Sequence, residues 1–308
     1  MSNKGAARAA EGSSTTSRLR EVLDRAASVV IVEGAPDEVD ATDRRRIVVT
    51  GIEIADLAQR LAIVDGRTGS HCLCPGWPTI LVHDSHGDLI ARWTLHHQSA
   101  LRGVGDCDAD LRDGPGLTEW LAQHGLTGPQ KVQTELAAQE VKAEQRRMRW
   151  RQAAPVGLAG VAADVAEPSS RDDIGWSNRL QEAQQRLAAL VRQRYADEID
   201  RVRILLAWAG IPSREASGGL MWYDLAVQRL LLAEAPDTVL TALTVQVPTA
   251  AQLDGAAGLF TSYEWVTAHG RQLPEPVRSI LIDHIHADGT DQMRFQLRHG
   301  YFGGERSA

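Results

Sequence analysis

The sequence has few cysteines, few lysines and no long apolar run, and each scarcity excludes a class of protein. Three cysteines among 308 residues cannot form the dense disulfide framework of a small secreted domain. No apolar run approaches the roughly 20 residues that a membrane-spanning helix needs. The N-terminus also lacks the charged-then-apolar pattern of a signal peptide. We therefore expect a cytoplasmic protein with reduced thiols and no membrane partner.

Charge and composition are those of an ordinary globular protein. Apolar residues make up 43% of the chain, which is enough to build a core. The formal net charge of −7 argues mildly against a nucleic-acid binder, although a local basic patch would matter more than the total. Lysine occurs only at Lys4, Lys131 and Lys142, and we attribute the preference for arginine to genome composition.

Cysteine and histidine are concentrated between residues 71 and 107, which hold all three cysteines and five of the ten histidines. Residues 77–82 and 89–97 predict two strands, because they are rich in aromatic and β-branched side chains. The polar residues between them predict a hairpin loop. Since side chains alternate along a strand, we expect His97 to face the core and His96 to face solvent or a partner.

The chain as a whole predicts an α+β fold, with a small N-terminal α/β domain around this hairpin and an all-α domain after it. The all-α part is either a helical array or an irregular bundle, because no strict repeat period is present. Helical spacing predicts one long helix from Trp176 to Gly210. Glycine, proline and aspartate after His97 predict an acidic loop up to residue 116. The predicted segments are a disordered tail at 1–17, the α+β domain at 18–128, a charged helix and linker at 129–173, and the all-α domain at 174–308.

Four residues of the 71–107 interval suggest a zinc site. Zinc takes about four thiolate or imidazole ligands in a tetrahedron, and Cys72 and Cys74 share one side of an extended segment. Cys107 and the inward His97 would complete the shell, which makes zinc the one cofactor that the sequence suggests. The Cys-x-Cys spacing lacks the usual gap of a zinc knuckle, and we favour the competing interpretation, in which the cysteines are small buried residues. A cysteine nucleophile served by a histidine base is a further alternative.

A basic cluster with an aromatic residue lies near the end of the charged helix. Arg146, Arg149 and Trp150 belong to it, and such a patch can follow a nucleic-acid backbone and stack on a base. We favour the interpretation in which the arginines complement the C-terminal end of the helix dipole. Separately, His96 and Arg102 form a candidate surface for an anion or a partner's carboxylate.

Part of the sequence resembles a set of uncharacterised actinobacterial proteins. The resemblance rests on Cys72-x-Cys74, on the motif His96-His97-x-x-Ala100-Leu101-Arg102, and on the helical C-terminal half. The chain departs from the pattern after the histidine pair, where Gln98 stands in place of an expected glycine. The resemblance supports the two-part organisation and implies no activity.

These observations favour a non-enzymatic binding or regulatory protein whose partner is another protein. The motivation is a helical half without a catalytic constellation, since helical arrays offer extended surfaces to partners. The alternatives are a zinc-binding or thiol-dependent enzyme centred on residues 71–107 and, less favoured, a nucleic-acid binder acting through residues 146–151.

Elemental analysis tests the zinc hypothesis. If Cys72, Cys74, His97 and Cys107 form a tetrahedral shell, protein purified without a chelator should carry about one zinc ion per chain, and Cys72→Ser should lower that content. A zinc content near zero in the unmodified protein contradicts the hypothesis.

Overall fold

The protein folds into two units, one built on a sheet and one built of helices. The structure is a computed structural model, and it describes residues 14–69, 73–169, 175–215 and 220–303. The chain divides into residues 1–141, the sheet unit, and residues 142–308, the helical unit. The predicted α+β class is confirmed, because an antiparallel sheet precedes a helical half. The division falls inside a helix that begins at Gly128, beyond the predicted domain end at residue 128.

In its described part, the sheet unit contains seven strands, three complete helices and the first part of the helix that begins at Gly128. The helices are α1 Thr16–Leu23, α2 Ile52–Arg60 and α3 Gly114–Gln123. The strands are β1 Ser28–Val32, β2 Arg46–Thr50, β3 Ile63–Gly69, β4 Thr79–His83, β5 Leu89–His96, β6 Ala100–Arg102 and β7 Asp108–Leu111. Their order across the sheet is β2-β1-β4-β5-β6-β7-β3, and every neighbouring pair is antiparallel.

The two faces of the sheet differ because side chains alternate along each strand. One face carries the apolar core, to which α1, α2 and α3 also contribute. The strand residues in this core include Val29, Ile31, Ile80, Trp93, Leu95, Leu101 and Ala109. The opposite face carries buried or half-buried polar residues on β5, β6 and β7. We call the group of Thr94, His96, Arg102 and Asp108 the polar face.

The predicted hairpin is confirmed. Strands β4 and β5 pair antiparallel on either side of residues 84–88. Asp84 closes the loop, since its Oδ1 accepts hydrogen bonds from the backbone N–H of His86 at 2.8 Å and of Asp88 at 3.1 Å. The N–H of His86, with a smaller contribution from Asp88, keeps the pKa of Asp84 below its ordinary value. Asp84 and His86 therefore have a structural role in the turn.

Two predictions about the ends and loops of the sheet unit are wrong. The predicted acidic loop after His97 contains the strands β6 and β7. Both strands are short and carry charged residues, so their sequences show no clear alternation of apolar and polar side chains. The predicted tail ends earlier than residue 17, because Thr16 begins α1 and its backbone N–H donates to Asp65 Oδ1 at 2.7 Å. Residues 1–13 of that tail lie outside the described residues.

The division between the two units falls within one long helix. The helical unit begins with the second part of that helix. That helix is α4 Gly128–Gln152, and the others are α5 Ala159–Val165, α6 Trp176–Arg194, α7 Glu198–Glu215, α8 Trp222–Leu232, α9 Pro236–Ala242, α10 Ala250–Phe260, α11 Tyr263–His269, α12 Val277–Asp288 and α13 Asp291–Arg298. A short 3₁₀ turn, Tyr301–Gly303, follows α13. None of the described helices combines the length and apolarity that crossing a bilayer requires.

The closest packing in the helical unit is between α7 and α10, where glycines let the two backbones touch. A Cβ atom on Gly210 would lie 2.0 Å from the carbonyl oxygen of Ala251, and one on Gly255 would lie 2.0 Å from that of Leu206. Both distances are far below van der Waals contact. Any side chain larger than hydrogen would therefore force these helices apart.

Two predictions about the helical unit are also wrong. The predicted linker contains α5, whose Val161, Ala162 and Val165 are buried in the helical core. This helix has only seven residues, too few to show a clear period. The single long helix is instead α6 and α7, and the break between them is stabilised where Asp197 Oδ1 accepts the N–H of Asp200 at 2.9 Å.

Trp150 belongs to the core of the helical unit and not to its surface. The side chain is 1% exposed, and its ring centroid lies 4.6 Å from that of Trp208 and 5.1 Å from that of Tyr223. The Trp208 indole N–H also donates to the Trp150 carbonyl oxygen at 3.1 Å. Trp150 therefore ties α4 to α7 and α8.

Replacing Trp150 with alanine should destabilise the helical unit. We expect the free energy of unfolding to fall by about 3–5 kcal/mol, because the substitution leaves a large cavity. Urea denaturation followed by circular dichroism at 222 nm, to which this unit contributes most of the helix, measures the change. Val141→Ala on the same helix is the control, since Val141 is 56% exposed and such a change should cost less than about 0.5 kcal/mol. Equal effects of the two substitutions would contradict the assignment of Trp150 to the core.

Candidate functional site

The candidate site lies where the segment before β4 meets the polar face of the sheet. Cys74 is half-buried and is not in a disulfide. Its Sγ lies 3.3 Å from Nδ1 of His96 and 3.6 Å from Nε2 of His97. The structure thus brings one thiol within contact of two imidazoles, although 22 residues separate Cys74 from His96.

His96 is enclosed by the chain that carries Cys74. The histidine is 1% exposed, and a Cβ atom on Gly76 would lie 2.3 Å from its Nε2. Only glycine leaves room for the imidazole at this point, and Gly76 also has a positive φ of 73° that glycine adopts without strain. The backbone around Gly76 therefore forms one wall of the imidazole pocket.

The predicted orientations of the two histidines are wrong. His96 is buried on the polar face, whereas His97 is exposed. The prediction extended the alternation of β5 to residue 97, but the strand ends at His96. His97 then leaves the strand with a φ of 47°, so its side chain no longer follows the two-residue period. His96 is consequently not an exposed contact for a partner.

The turn after His96 has a backbone conformation that side chains usually avoid. His97 and Gln98 both have positive φ, 47° and 57°, and the N–H of Ser99 donates to the His96 carbonyl at 3.0 Å. Positive φ at both central residues is the pattern of a type I′ turn, which usually carries asparagine and glycine. A glycine at position 98, the residue expected from the resemblance, would relieve strain on the order of 1 kcal/mol. Strain of this kind occurs often at functional sites.

The second nitrogen of His96 and the neighbouring strands complete the polar face. Nε2 of His96 lies 3.2 Å from Thr94 Oγ1 on the same strand. The Asp108 carboxylate is buried and lies 3.8 Å from Nδ1 of His96. Arg102 binds Asp108 with two hydrogen bonds, of 2.6 and 2.9 Å. Its third contact, 2.9 Å from NH1 to the carbonyl oxygen of Cys74, ties the cysteine segment to the sheet.

Sequence reasoning missed Thr94 and Asp108. Thr94 lies two residues before His96, so the period of a strand puts both on one face. Asp108 lies in the region that predicts a loop, where no such period can be applied. Arg102 was expected to bind an external anion, but in the fold it already binds Asp108.

The four predicted metal ligands are only partly brought together. Cys74 and His97 are in contact, but Cys72 lies outside the described residues. Cys107 is half-buried and, among the residues that the structure describes, makes no hydrogen bond to Cys74 or to either histidine. No group of three or more potential ligands in the described chain is arranged to hold a metal ion. Two ligand atoms of a tetrahedral zinc site lie roughly 3.5 Å apart. The distances from Cys74 Sγ to the two imidazole nitrogens are close to that value, so the metal site stays a prediction.

The predicted nucleic-acid patch lacks the aromatic surface that it needs. Trp150 is in the core, so its ring cannot stack on a base. Arg146 donates to the buried carboxylate of Asp224 at 2.7 Å, and Arg149 also has a bonding partner. The pairing with Asp224 gives Arg146 a structural role in this fold, and the favoured interpretation, in which the arginines complement the helix dipole, stays a prediction.

No protein-family model, no curated protein and no solved structure matches this chain. The resemblance to actinobacterial proteins and the expectation of a protein partner both stay predictions.

Gly76→Ala should displace the His96 imidazole. We expect the free energy of unfolding to fall by about 2–4 kcal/mol, because a forced overlap adds to the strain of a positive φ. Chemical denaturation measures the loss, and long-range ¹H–¹⁵N spectra of the histidine rings report the displacement of His96.

Gly87→Ala is the matched control for this substitution. Gly87 has a similar φ of 83°, but nothing lies within 4 Å of its Cβ position, so only the conformational strain of about 1 kcal/mol remains. If both substitutions have the same effect, the backbone wall around His96 is not as tight as the structure indicates.

Proposed function

We propose that Cys74 is a nucleophile, that His96 is its base, and that the sheet unit is a thiol-dependent catalytic module. The observation that carries the proposal is the 3.3 Å distance between Cys74 Sγ and His96 Nδ1. A thiol attacks as its thiolate, and a neighbouring imidazole that takes the proton is the usual way in which proteins form one.

Thr94 supports the protonation state that this role requires. If Nε2 of His96 carries its hydrogen and donates to Thr94 Oγ1, 3.2 Å away, the lone pair of Nδ1 faces the thiol. A base needs an unprotonated nitrogen aimed at the proton that it abstracts. Thr94 is thus a positioning residue for the imidazole.

The surrounding charges favour the ion pair that results. The Asp108 carboxylate lies 3.8 Å from Nδ1, beside the positive charge that the proposed proton transfer places on His96, and Arg102 keeps the carboxylate in place. Thiolate, imidazolium, carboxylate and guanidinium then alternate in sign, so no buried charge is left unpaired. His97, whose Nε2 lies 3.6 Å from Sγ, is exposed and can contact both the sulfur and a substrate.

The proposed step needs no reactant other than the substrate. The thiol proton moves from Sγ to Nδ1 of His96. The sulfur then forms a bond to an electrophilic carbon of the substrate, and the bond between that carbon and its leaving group breaks. The proton on Nδ1 is available to the departing group.

Alkylation by iodoacetamide tests the proposal within one molecule, because Cys107 is a half-buried thiol without these imidazoles. Cys72→Ser serves as the background, so that the peptide reports on Cys74 alone. We expect Cys74 to react about tenfold faster than Cys107 at pH 7, because an unassisted thiol is only a few per cent ionised. His96→Phe should abolish most of this advantage and leave the rate at Cys107 unchanged, as measured by mass spectrometry.

His86→Phe in the exposed hairpin loop is the control, and it should leave both rates unchanged. Thr94→Val provides a second test of the same pair if His96→Phe does not fold, and it should slow Cys74 alone. A rate at Cys74 no higher than that at Cys107, or one indifferent to His96, contradicts the proposal. In the protein that keeps Cys72, slow alkylation of Cys74 that a chelator accelerates would instead identify Cys74 as a metal ligand.

A further inference from the structure

The helical unit contains a cavity of a size that suits a small organic ligand. It lies among α8, α10, α11 and α13 and has a volume of about 560 Å³. Ligand pockets in proteins typically have volumes of a few hundred to a thousand Å³. Cys74 and the other residues of the thiol site are not among its lining residues, so the cavity requires an explanation of its own.

A buried glutamine lines this cavity without a partner. Gln228 on α8 is 9% exposed and borders both this cavity and a smaller neighbouring one. Within the described parts of the chain its side-chain amide forms no hydrogen bond. An amide can donate two hydrogen bonds and accept two, and buried amides in folded proteins are normally paired. The Gln228 amide, which faces the cavity, is therefore available to a hydrogen-bonding partner from outside the chain.

Two further glutamines line the same cavity from α13. Gln292 and Gln296 are four residues apart, so they lie on one side of that helix. Neither forms a side-chain hydrogen bond among the described residues. The lining hydroxyls differ in this respect, because Ser262 and Thr290 cap helices by accepting the N–H groups of Trp265 and Met293. The glutamine amides are thus polar groups that a ligand could bind.

The remaining lining residues restrict the charge and shape of that ligand. Among the described lining residues, Glu264 is the one acidic side chain, and none of them is a lysine, arginine or histidine. A carboxylate without a basic neighbour disfavours anions and attracts cations. Tyr263, which is 81% exposed, and Met293 provide an aromatic and a flexible apolar surface.

We propose that this cavity binds a small planar molecule that is neutral or positively charged and carries amide-like donors and acceptors. The amides of Gln228, Gln292 and Gln296 pair with its polar edge, and Glu264 selects against negative charge. Cys74 does not line this cavity, so Cys74→Ser should leave the binding of a ligand in the cavity unchanged.

Three probes of nearly the same shape test the proposal on the full-length protein. Benzamide, benzamidine and benzoate are neutral, cationic and anionic, and saturation-transfer NMR titrations compare their affinities. We expect benzamide and benzamidine to bind at least tenfold more tightly than benzoate, since the polar and charged groups select by ligand charge. Glu264→Gln should reduce the preference for benzamidine over benzoate, and Gln228→Leu should weaken the binding of benzamide and of benzamidine by about tenfold.

Gln193→Leu on the exposed side of α6 is the matched control and should change none of the three affinities. If Gln228→Leu does not fold, Gln292→Leu, at an exposed position, tests the same contacts. The absence of saturation transfer to benzamide and benzamidine at millimolar concentration overturns the proposal. Equal binding of all three probes, or affinities unchanged by every lining substitution, overturns it as well.

Discussion

The contact between the Gly76 backbone and the His96 imidazole determines the rest of the candidate site. Because nothing larger than glycine fits against that ring, the segment that carries Cys74 lies directly on the polar face of the sheet. Arg102 also holds this segment, by donating to the Cys74 carbonyl while it binds Asp108. The backbone around Cys74 is therefore held by residues of two strands, β5 and β6. The distance from the thiol to the His96 imidazole thus depends on the position of this backbone as well as on the cysteine side chain.

Much of the fold follows from local pattern, and the failures have physical causes. The strands at 28–32 and 46–50 and the β4–β5 hairpin were predictable, because they contain β-branched runs bounded by polar turns. Strands β6 and β7 were not, since their pairing with β5 and with each other is what makes them strands. Trp150 was misread because arginines surround it in sequence, whereas its burial depends on Trp208 and Tyr223, which are distant in sequence. The proximity of Cys74 to a histidine was anticipated, but which histidine would be buried depended on where β5 ends.

The two proposed sites use opposite chemical strategies. The thiol site consists of closely packed ionisable groups, and the role we propose for it depends on moving one proton between two of them. Among its described lining residues, the cavity of the helical unit offers neutral amides, apolar surface and one carboxylate, which in our proposal selects by ligand charge. Each site lies entirely within one unit, so either could be lost without the other. A protein of this kind can combine a reactive residue with a separate binding site.

The glycine contact between α7 and α10 has a consequence for how the ancestry of this chain could be traced. Apolar positions in a helical core can exchange leucine, isoleucine and methionine with little penalty, so they drift until similarity is no longer detectable. Gly210 and Gly255 have no such freedom, because each lies against the backbone of the other helix. Two fixed glycines at a constant separation, flanked by variable apolar residues, would therefore be the most durable signature of a remote homologue.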